Sequence, residues 1–540
     1  MTIPPFTTPS KQAHHHHGSP ALLPPLVAPD CSYGPSTFFN IAATTPHAAS
    51  IVTRDHCYTR SEVAEIVTRY TKVLHSHSVH AQDIVALMAP NSPAHLCLYL
   101  ACSMKNAVFT PIDPRLGPIE YREMLHQVPP RVIYQLNSTD GHTIAPLTTS
   151  FDENKVLAHT NLWQPLDTSD MSPLHFPVQP QSICTERLDN AHVLMWSSGT
   201  TGLAQPIALT WENIYSAWLN HRYAFGYRPR ATVMTAAPLS HIGAFNGITL
   251  DAFVHGGCVV IPPDLRPHTL YHYMRQHRVE CFFTVPAVID MLLELPDFNA
   301  DNLPALYAPV IGGSLMSRRI CDELCTRGFH PIHVWGMTQT SGGAIYNDMC
   351  CASKSLSLTS PALGHPMKYS KVALYNHSTK SFITAPDISG EICVGGSNVC
   401  AGGGTHIGDY LFSGDIGSFD STGALHFHGR SHDTIMTGGH SVHPVAVENV
   451  LRMHPAVEDA VVCGIPDKRW GYTVAALIVL AQGCHNGDAA QLQQHTNNHM
   501  AHYKTPRQIV FVNEIPLTNT GKPDRREALH ILQSTLHLNQ

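Results

Sequence analysis

The chain has 540 residues, 43% hydrophobic and 14% charged, with a formal net charge of −7. That length exceeds the size at which one core stops growing, so at least two domains are expected. The negative balance and the lack of any long Lys/Arg cluster exclude a nucleic-acid surface, and no apolar run approaches the ~20 residues of a membrane span.

Residues 1–30 are rich in Pro, Ser and Thr and are expected to form a disordered tail without a signal-peptide core. The histidines at 14–17 are not read as a metal site. Fifteen cysteines without regular spacing, in a chain that needs no staples, read as reduced thiols of a cytoplasmic protein. Thr59, with Glu62 three residues on, has capping-box spacing ahead of a helical pattern. Residues 84–88 read as a buried strand, 93–101 as the helix after it, and 108–112 and 132–134 as further strands. This alternation is α/β organisation.

Residues 193–196 are a strand delivering Ser197-Ser198-Gly199-Thr200-Thr201-Gly202 to a turn. Such residues cannot pack their own side chains, but their N–H groups and hydroxyls can wrap a phosphate chain. A plain Ser/Thr/Gly surface hairpin is the alternative. The turn is not a GxxxxGK[ST] loop, since no Lys follows the second Gly. Residues 207–209 return as a strand, and Thr210 opens a helix. Strands then recur at 231–237, 258–262, 281–286, 308–314 and 333–338, with a helix over 242–253. Several of these strands end in Gly, Thr, Ser or His. Ligand sites gather at the carboxyl ends of strands in open α/β sheets, so a large cleft over one sheet edge is expected. Beyond residue 432 the pattern is a compact α+β unit, with helices at 445–453 and 489–500 and strands at 456–465, 473–480 and 509–512.

Six motifs in order carry a resemblance. They are SSGTTGLAQP at 197–206, WGMTQT at 335–340, GEICVGG at 390–396, SGDIG at 413–417, GRSHDTIMTGGHSVHP at 429–444 and LTNTGKPDR at 517–525. Together they resemble the adenylate-forming superfamily of acyl-CoA synthetases, aryl-acid ligases, luciferases and peptide-synthetase adenylation domains. The resemblance implies an α/β fold: a large N-terminal domain of packed β-sheets and helices over 31–431, and a smaller, mobile C-terminal α+β domain over 432–540. It implies ATP-dependent formation of an acyl-adenylate and then an acyl thioester, with ATP, Mg²⁺ and CoA as cofactors. An acyl or aryl carrier protein, through its phosphopantetheine arm, could take the place of CoA.

The family's roles fall on matching residues. Ser198, Gly199, Thr200, Thr201 and Gly202 resemble the loop that binds the β- and γ-phosphates. Trp335 and Gly336 belong to the nucleotide motif, and Thr338 matches the threonine near the α-phosphate. Asp415 and Arg430 match the ribose-binding pair. A carboxylate suits a diol because it accepts two hydroxyl protons together; a simple turn-forming Asp is the alternative. Lys522 matches the lysine that reaches the carboxylate and α-phosphate, where a mobile cation stabilises the charge spreading over phosphoryl oxygens. A solvated loop lysine is its bland reading. His432 stands at the hinge, a position more often Asp or Lys, and Gly438 and Gly439 would admit a pantetheine arm.

Three departures stand out. The phosphate loop continues Leu203-Ala204-Gln205-Pro206 where the family has Gly-x-Pro-Lys, so a cation is missing. Gln339 replaces the Glu that holds Mg²⁺, a cation that prefers hard anionic oxygens. Met436 replaces a frequent Lys. They imply weakened ATP–Mg²⁺ handling, and a weakened or inactive binding protein on the same scaffold is the alternative to an active ligase. The acyl pocket is expected from His241, Phe245, Ile311, Gly312 and Gly313, with Trp335, Met337 and Ser341. No Lys or Arg lies in those segments, so an aryl or medium aliphatic monocarboxylic acid fits. His241 resembles a histidine between the acyl pocket and the thiol tunnel; a core or turn histidine is the alternative. Cys321, Cys325, His330 and His333 match no structural zinc spacing, and His440 and His443 are expected to share one side of a strand.

Overall fold

The structure, a computed structural model, describes residues 33–116, 118–135, 190–197, 204–349, 362–437, 440–467, 469–481, 483–484, 487–518 and 523–536. Within them a large N-terminal α/β domain is followed by a smaller C-terminal α+β domain. Two sheets build the larger one. In the first, Ile84–Met88 lies between Val132–Gln135 and Val108–Ile112, all parallel. Ala191–Ser197 pairs onto Val108–Ile112, and Gln205–Thr210 closes the edge antiparallel. Every residue of Ile84–Met88 and Val108–Ile112 is buried, as expected of parallel strands covered on both faces.

In the second sheet, Ala49–Val52, Cys258–Val260, Thr232–Thr235, Cys281–Thr284, Ala308–Gly312 and Ile332–Met337 run parallel in that order. Gly342–Asp348 turns back antiparallel on Ile332–Met337, and further antiparallel strands extend the sheet to Ser381–Ile383. The carboxyl ends of its parallel strands carry the small and polar residues noted above.

Local chemistry sets the helix starts. Thr59 and Glu62 form a capping box on Arg60–Ser76, and Thr210 and Asn213 form one on Trp211–Phe225. Each satisfies amide donors that a first helical turn leaves open. The stretch expected as one helix over 242–253 is instead Ile242–Ala244, a π-helical Phe245–Thr249, and Leu250–Val254. The π-turn carries Asn246 to a structural use: Trp218 Nε1 donates to its Oδ1 at 2.8 Å, and its Nδ2 donates to the Ser341 carbonyl at 2.7 Å. Hydrophobic pattern cannot register such a bulge, because every residue of Phe245–Thr249 is buried.

The C-terminal sheet orders His440–Val442, Ile435–Thr437, Gly471–Leu480 and Val457–Asp467, with Gln508–Val512 parallel to Gly471–Leu480. Alternate residues of Val457–Asp467 face opposite layers. Ala460 and Val462 pack with Val447 and Leu451, whereas Val461 and Cys463 pack with Ala528 and Leu532. His440 and His443 do not share a strand face. The strand ends at Val442; exposed His440 stacks on Tyr503, ring centroids 4.4 Å apart, and His443 stands just before Pro444–Arg452, beside His428. Cys321 is buried in an apolar cluster with Leu324 and Phe329. No described helix is long and apolar enough to cross a membrane.

Candidate active site

A cavity of about 350 Å³ opens at the carboxyl ends of Cys281–Thr284, Ala308–Gly312 and Ile332–Met337, against the turn that leads into Ile242–Ala244. Its walls are mainly apolar, with Ile242, Phe283, Val285, Val288 and Met337 prominent. Glycines shape it. A Cβ on Gly243 would come within 2.5 Å of the Phe283 ring, and one on Gly312 within 2.9 Å of the same ring and 2.7 Å of Val334. Phe283 occupies space that any side chain at those positions would take. At the buried end, His221 accepts the Gly343 N–H on Nε2 at 3.0 Å. Burial pushes its pKa down to about 4, so the ring is neutral with its proton on Nδ1.

The strand Ile332–Met337 joins this cavity to a polar edge. Gly336, Met337 and Thr338 line the cavity, while Trp335 Nε1 donates to Asp415 Oδ2 at 2.9 Å. Asp415 faces Arg430 across the antiparallel pair Tyr410–Phe419 and Leu425–Arg430, with Arg430 Nε 3.4 Å from Oδ1. The turn carrying Asp415 is itself braced, since Glu391 Oε1 accepts the Gly414 N–H at 2.9 Å. Asp415 is only 7% exposed and Arg430 is partly exposed, so a carboxylate backed by an indole and a guanidinium presents at a cleft edge. At Gly336 a Cβ would lie 1.9 Å from the Gly342 carbonyl oxygen, which leaves glycine as the residue that fits.

The Thr338–Thr340 turn is stapled to residues 396–403. Cys400 N donates to the Gln339 carbonyl at 2.9 Å, Asn398 Nδ2 to the Thr340 carbonyl at 3.0 Å, and Gln339 Nε2 to the Gly403 carbonyl at 3.0 Å. A Glu at 339 could not donate the last of these. The Gln339 side chain therefore offers a metal one neutral oxygen, and no group of three His, Cys, Asp or Glu among the described residues is placed to hold an ion. Among the described residues, this turn does not supply the anionic ligand that Mg²⁺ prefers.

A family model described as AMP-binding enzyme matches residues 38–402, and one described as AMP-binding enzyme C-terminal domain matches 446–522. The chain belongs to the AMP-binding enzyme family. This AMP-binding enzyme is 28% identical to a feruloyl-CoA synthase of Amycolatopsis over 492 residues, 89% of this chain and 95% of that protein. It is 27% identical to an indoleacetate–CoA ligase of Aromatoleum aromaticum, over 90% of this chain and 95% of the relative. Its fold matches ATP-bound MatB from Rhodopseudomonas palustris with a TM-score of 0.78 at 20% identity, covering 94% and 99% of the two chains. It also matches the o-succinylbenzoate CoA synthetase of Bacillus subtilis in complex with its acyl-adenylate, TM-score 0.73 at 22% identity, covering 91% and 97%.

Against that frame, the AMP-binding enzyme brings His241, Gly313, Met337 and Thr338 to the cavity, and Asp415, Arg430 and Trp335 to one edge. Five expected pocket residues are not in the wall: Gly312 sits behind it, against Phe283 and Val334, and four lie elsewhere. Phe245 is buried against Phe109 and Tyr99, with centroids 5.8 and 5.7 Å away. Ile311 packs into the cluster with Met316 and Ile320. Ser341, at φ +56°, is buried with its carbonyl held by Asn246. Trp335 serves Asp415 and is not part of the cavity wall. Ser198, Gly199, Thr200, Thr201, Gly202, Gly438, Gly439 and Lys522 lie outside the described residues. His432 is exposed on the Ser431–Asp433 turn. Its neighbour Asp433 reaches Arg525 Nε at 3.3 Å, and Arg525 also binds buried Glu448 at 2.5 Å and the Val462 carbonyl at 2.7 Å.

The sequence reading missed a charged pair. Arg115 lines the cavity, which corrects the expectation of a wall without Lys or Arg. Its guanidinium is taken up by Asp113, with Nη2 to Oδ2 at 2.7 Å and Nε to Oδ1 at 3.0 Å. Asp113-Pro114-Arg115 follows the strand Val108–Ile112, so the strand-end rule applied to other segments would have found it here.

Proposed function

We propose that this AMP-binding enzyme is an ATP-dependent carboxylic acid ligase that forms an acyl-adenylate and passes the acyl group to the thiol of CoA. The observation that carries the reading is the double use of Ile332–Met337, whose Trp335 backs Asp415 while Gly336 and Met337 wall the cavity. A nucleotide held by Asp415 and Arg430 and an acid in the cavity would meet at Thr338. A carboxylate oxygen of the acid attacks the α-phosphorus, pyrophosphate leaves, and the thiol sulfur then displaces AMP from the acyl carbon. Lys522 is assigned to the first step through its motif, as the cation that offsets charge on the phosphoryl oxygens. Mg²⁺ would arrive with the nucleotide phosphates. Rotation at residues 431–433, between a domain over 31–431 and one over 432–540, would exchange Lys522 for the 437–440 loop between the two steps.

The acid is assigned as an aryl monocarboxylic acid. Phe283 and the glycines around it favour a flat group, and the Arg115 fork is already neutralised by Asp113, so a second carboxylate gains little there. Two relatives are named for aryl acids, the feruloyl-CoA synthase and the indoleacetate–CoA ligase, which supports this choice. CoA is preferred as acceptor because two guanidiniums stand near the Trp470 ring, Arg469 at 4.8 Å and Arg507 at 5.0 Å from its centroid. An aromatic face with two cations suits a base and phosphates better than it suits a protein docking face. A cytoplasmic setting fits the described cysteines, all of which are thiols.

Acid-dependent ATP–pyrophosphate exchange over a panel of aryl and aliphatic acids tests the reading, with Lys522→Ala alongside and CoA added afterwards. Exchange with an aryl acid that Lys522→Ala abolishes supports it. A folded protein that neither binds ATP nor exchanges with any acid overturns it.

A further inference from the structure

The strand Tyr410–Phe419 does not run straight past its neighbour Gly390–Gly395. Glu391 pairs with Ile416 and Cys393 with Phe412, so Ile392 alone faces Ser413, Gly414 and Asp415. The surplus residues bulge out of the ladder, with Gly414 at φ +77°, in the left-handed region that glycine adopts most readily. On its other side the same strand keeps Asp415 opposite Arg430. A bulge leaves amides without ladder partners and re-aims the side chain it carries. Here that side chain is Asp415, which takes the Trp335 Nε1–H at 2.9 Å.

Side chains take both amides at the centre of the bulge. Ser413 Oγ accepts the Asp415 N–H at 3.0 Å, and Glu391 Oε1 accepts the Gly414 N–H at 2.9 Å. The other Glu391 oxygen accepts from His377 Nε2 at 2.5 Å. The Glu391 side chain is only 10% exposed, whereas that of His377 is 62% exposed. A buried carboxylate is a poor device for stability alone, because desolvation offsets most of what its contacts return. The two braces also differ in reach. Ser413 belongs to the bulge and moves with it. Glu391 comes from the neighbouring strand, so its hydrogen bond fixes the bulge relative to the sheet. A shift of about 1 Å there would take Asp415 out of good hydrogen-bond geometry with any ligand.

Resting on the ligase reading, which puts the ribose of ATP at Asp415, we propose that Glu391 is a positioning residue for that ribose. It pins the Gly414 N–H so that the Asp415 carboxylate faces the 2′ and 3′ hydroxyls, and it does not touch the nucleotide itself. Its effect is therefore confined to the sugar. Recognition of the triphosphate, recognition of the acid and the chemical step do not depend on it.

The test compares ATP with 2′,3′-dideoxy-ATP, which keeps the base and phosphates but offers Asp415 no hydroxyl. Calorimetry on the full chain reads binding, and acid-dependent pyrophosphate exchange reads KM and kcat. Wild type should bind ATP about tenfold or more tighter than the dideoxy form. Glu391→Ala should weaken ATP binding about tenfold, with dideoxy-ATP binding and kcat at saturating ATP each changed less than about threefold. Glu391→Gln, whose amide oxygen still accepts the Gly414 N–H, should restore most of the preference. Glu391→Asp, which draws the acceptor back by one methylene, should fall between and serves if Glu391→Ala does not fold. Equal weakening of both nucleotides, or a ribose preference kept in Glu391→Ala and Glu391→Asp, overturns the proposal, and so does a wild type that binds both nucleotides alike. A wild type that binds ATP with this preference but exchanges with no acid would defeat the ligase reading instead, and calorimetry would still decide the role of Glu391.

Discussion

Arg222 reaches Asp251 between Trp211–Phe225 and Leu250–Val254, Nε to Oδ2 at 2.8 Å and Nη2 to Oδ1 at 2.5 Å. Tyr227 donates to Oδ2 at 2.5 Å, and His255 Nδ1 lies 2.9 Å from Oδ1. Asp251 is fully buried there. Arg115 and Asp113 make a similar fork at the cavity mouth, yet Arg115 is half exposed and a cavity histidine, His241, stands 3.9 Å from Asp113. The chemistry is the same and the setting differs. In the dry network every group is matched, so losing one leaves a charge stranded; at the mouth, water replaces a lost partner. Polar groups sealed in the core hold the fold, and polar groups at the cleft edge serve the site.

The sharpest way to break that contrast is to remove one member of each pair. Asp251→Ala should cost about 3–5 kcal/mol in urea unfolding, because Arg222 is left buried without its counter-ion. Arg115→Ala should cost less than about 1 kcal/mol. Equal costs would mean that burial does not separate the two pairs.

Asp415 lies between these extremes, nearly buried yet at the cleft edge. Asp415→Ala should weaken ATP binding by about 1.5–3 kcal/mol in calorimetry, the worth of hydrogen bonds to a charged group. Trp335→Phe, which removes one donor to Asp415, should weaken it by about 1 kcal/mol. ATP affinity left intact in Asp415→Ala would place the ribose elsewhere.

The sealed imidazoles add a pH dependence. His95, His192, His221 and His428 are each pushed down to about 4, chiefly by burial. A depressed pKa means that the unfolded chain binds protons first on acidification. Their contribution is therefore complete above the ordinary histidine pKa of about 6.5 and is lost as pH falls toward 4, by up to about 1.4 kcal/mol per pH unit for each ring. Melting temperature should drop steadily from pH 7 to 5. A flat profile would show that these rings titrate normally.

The smallest expected effect is at Gln339. Gln339→Glu adds an anionic ligand but loses the hydrogen bond to Gly403. It should lower the Mg²⁺ concentration needed for ATP binding severalfold, about 1 kcal/mol, and reduce stability by a similar amount. No change in either quantity would mean that residue 339 faces neither the metal nor the loop.

What can be read from the chain alone follows from short-range rules. Strands such as Ile84–Met88 and Val108–Ile112 appear where apolar runs of that length are bounded by polar turns, and Thr59 and Thr210 announce helices through contacts three residues away. Asp415 and Arg430 were legible as motif residues, and the hairpin between them makes them cross-strand partners. Tertiary structure decided what those rules cannot reach. It turned Phe245 into the core and put a π-turn where a plain helix was expected, because both faces of that segment are buried and periodicity carries no direction. It sent Trp335 to Asp415 instead of to the acid. It also brought Asp113 and Arg115, at the end of one sheet, against His241 from another. Nothing local marks that meeting, since it depends on how two sheets stack, and stacking is settled by packing over the whole domain.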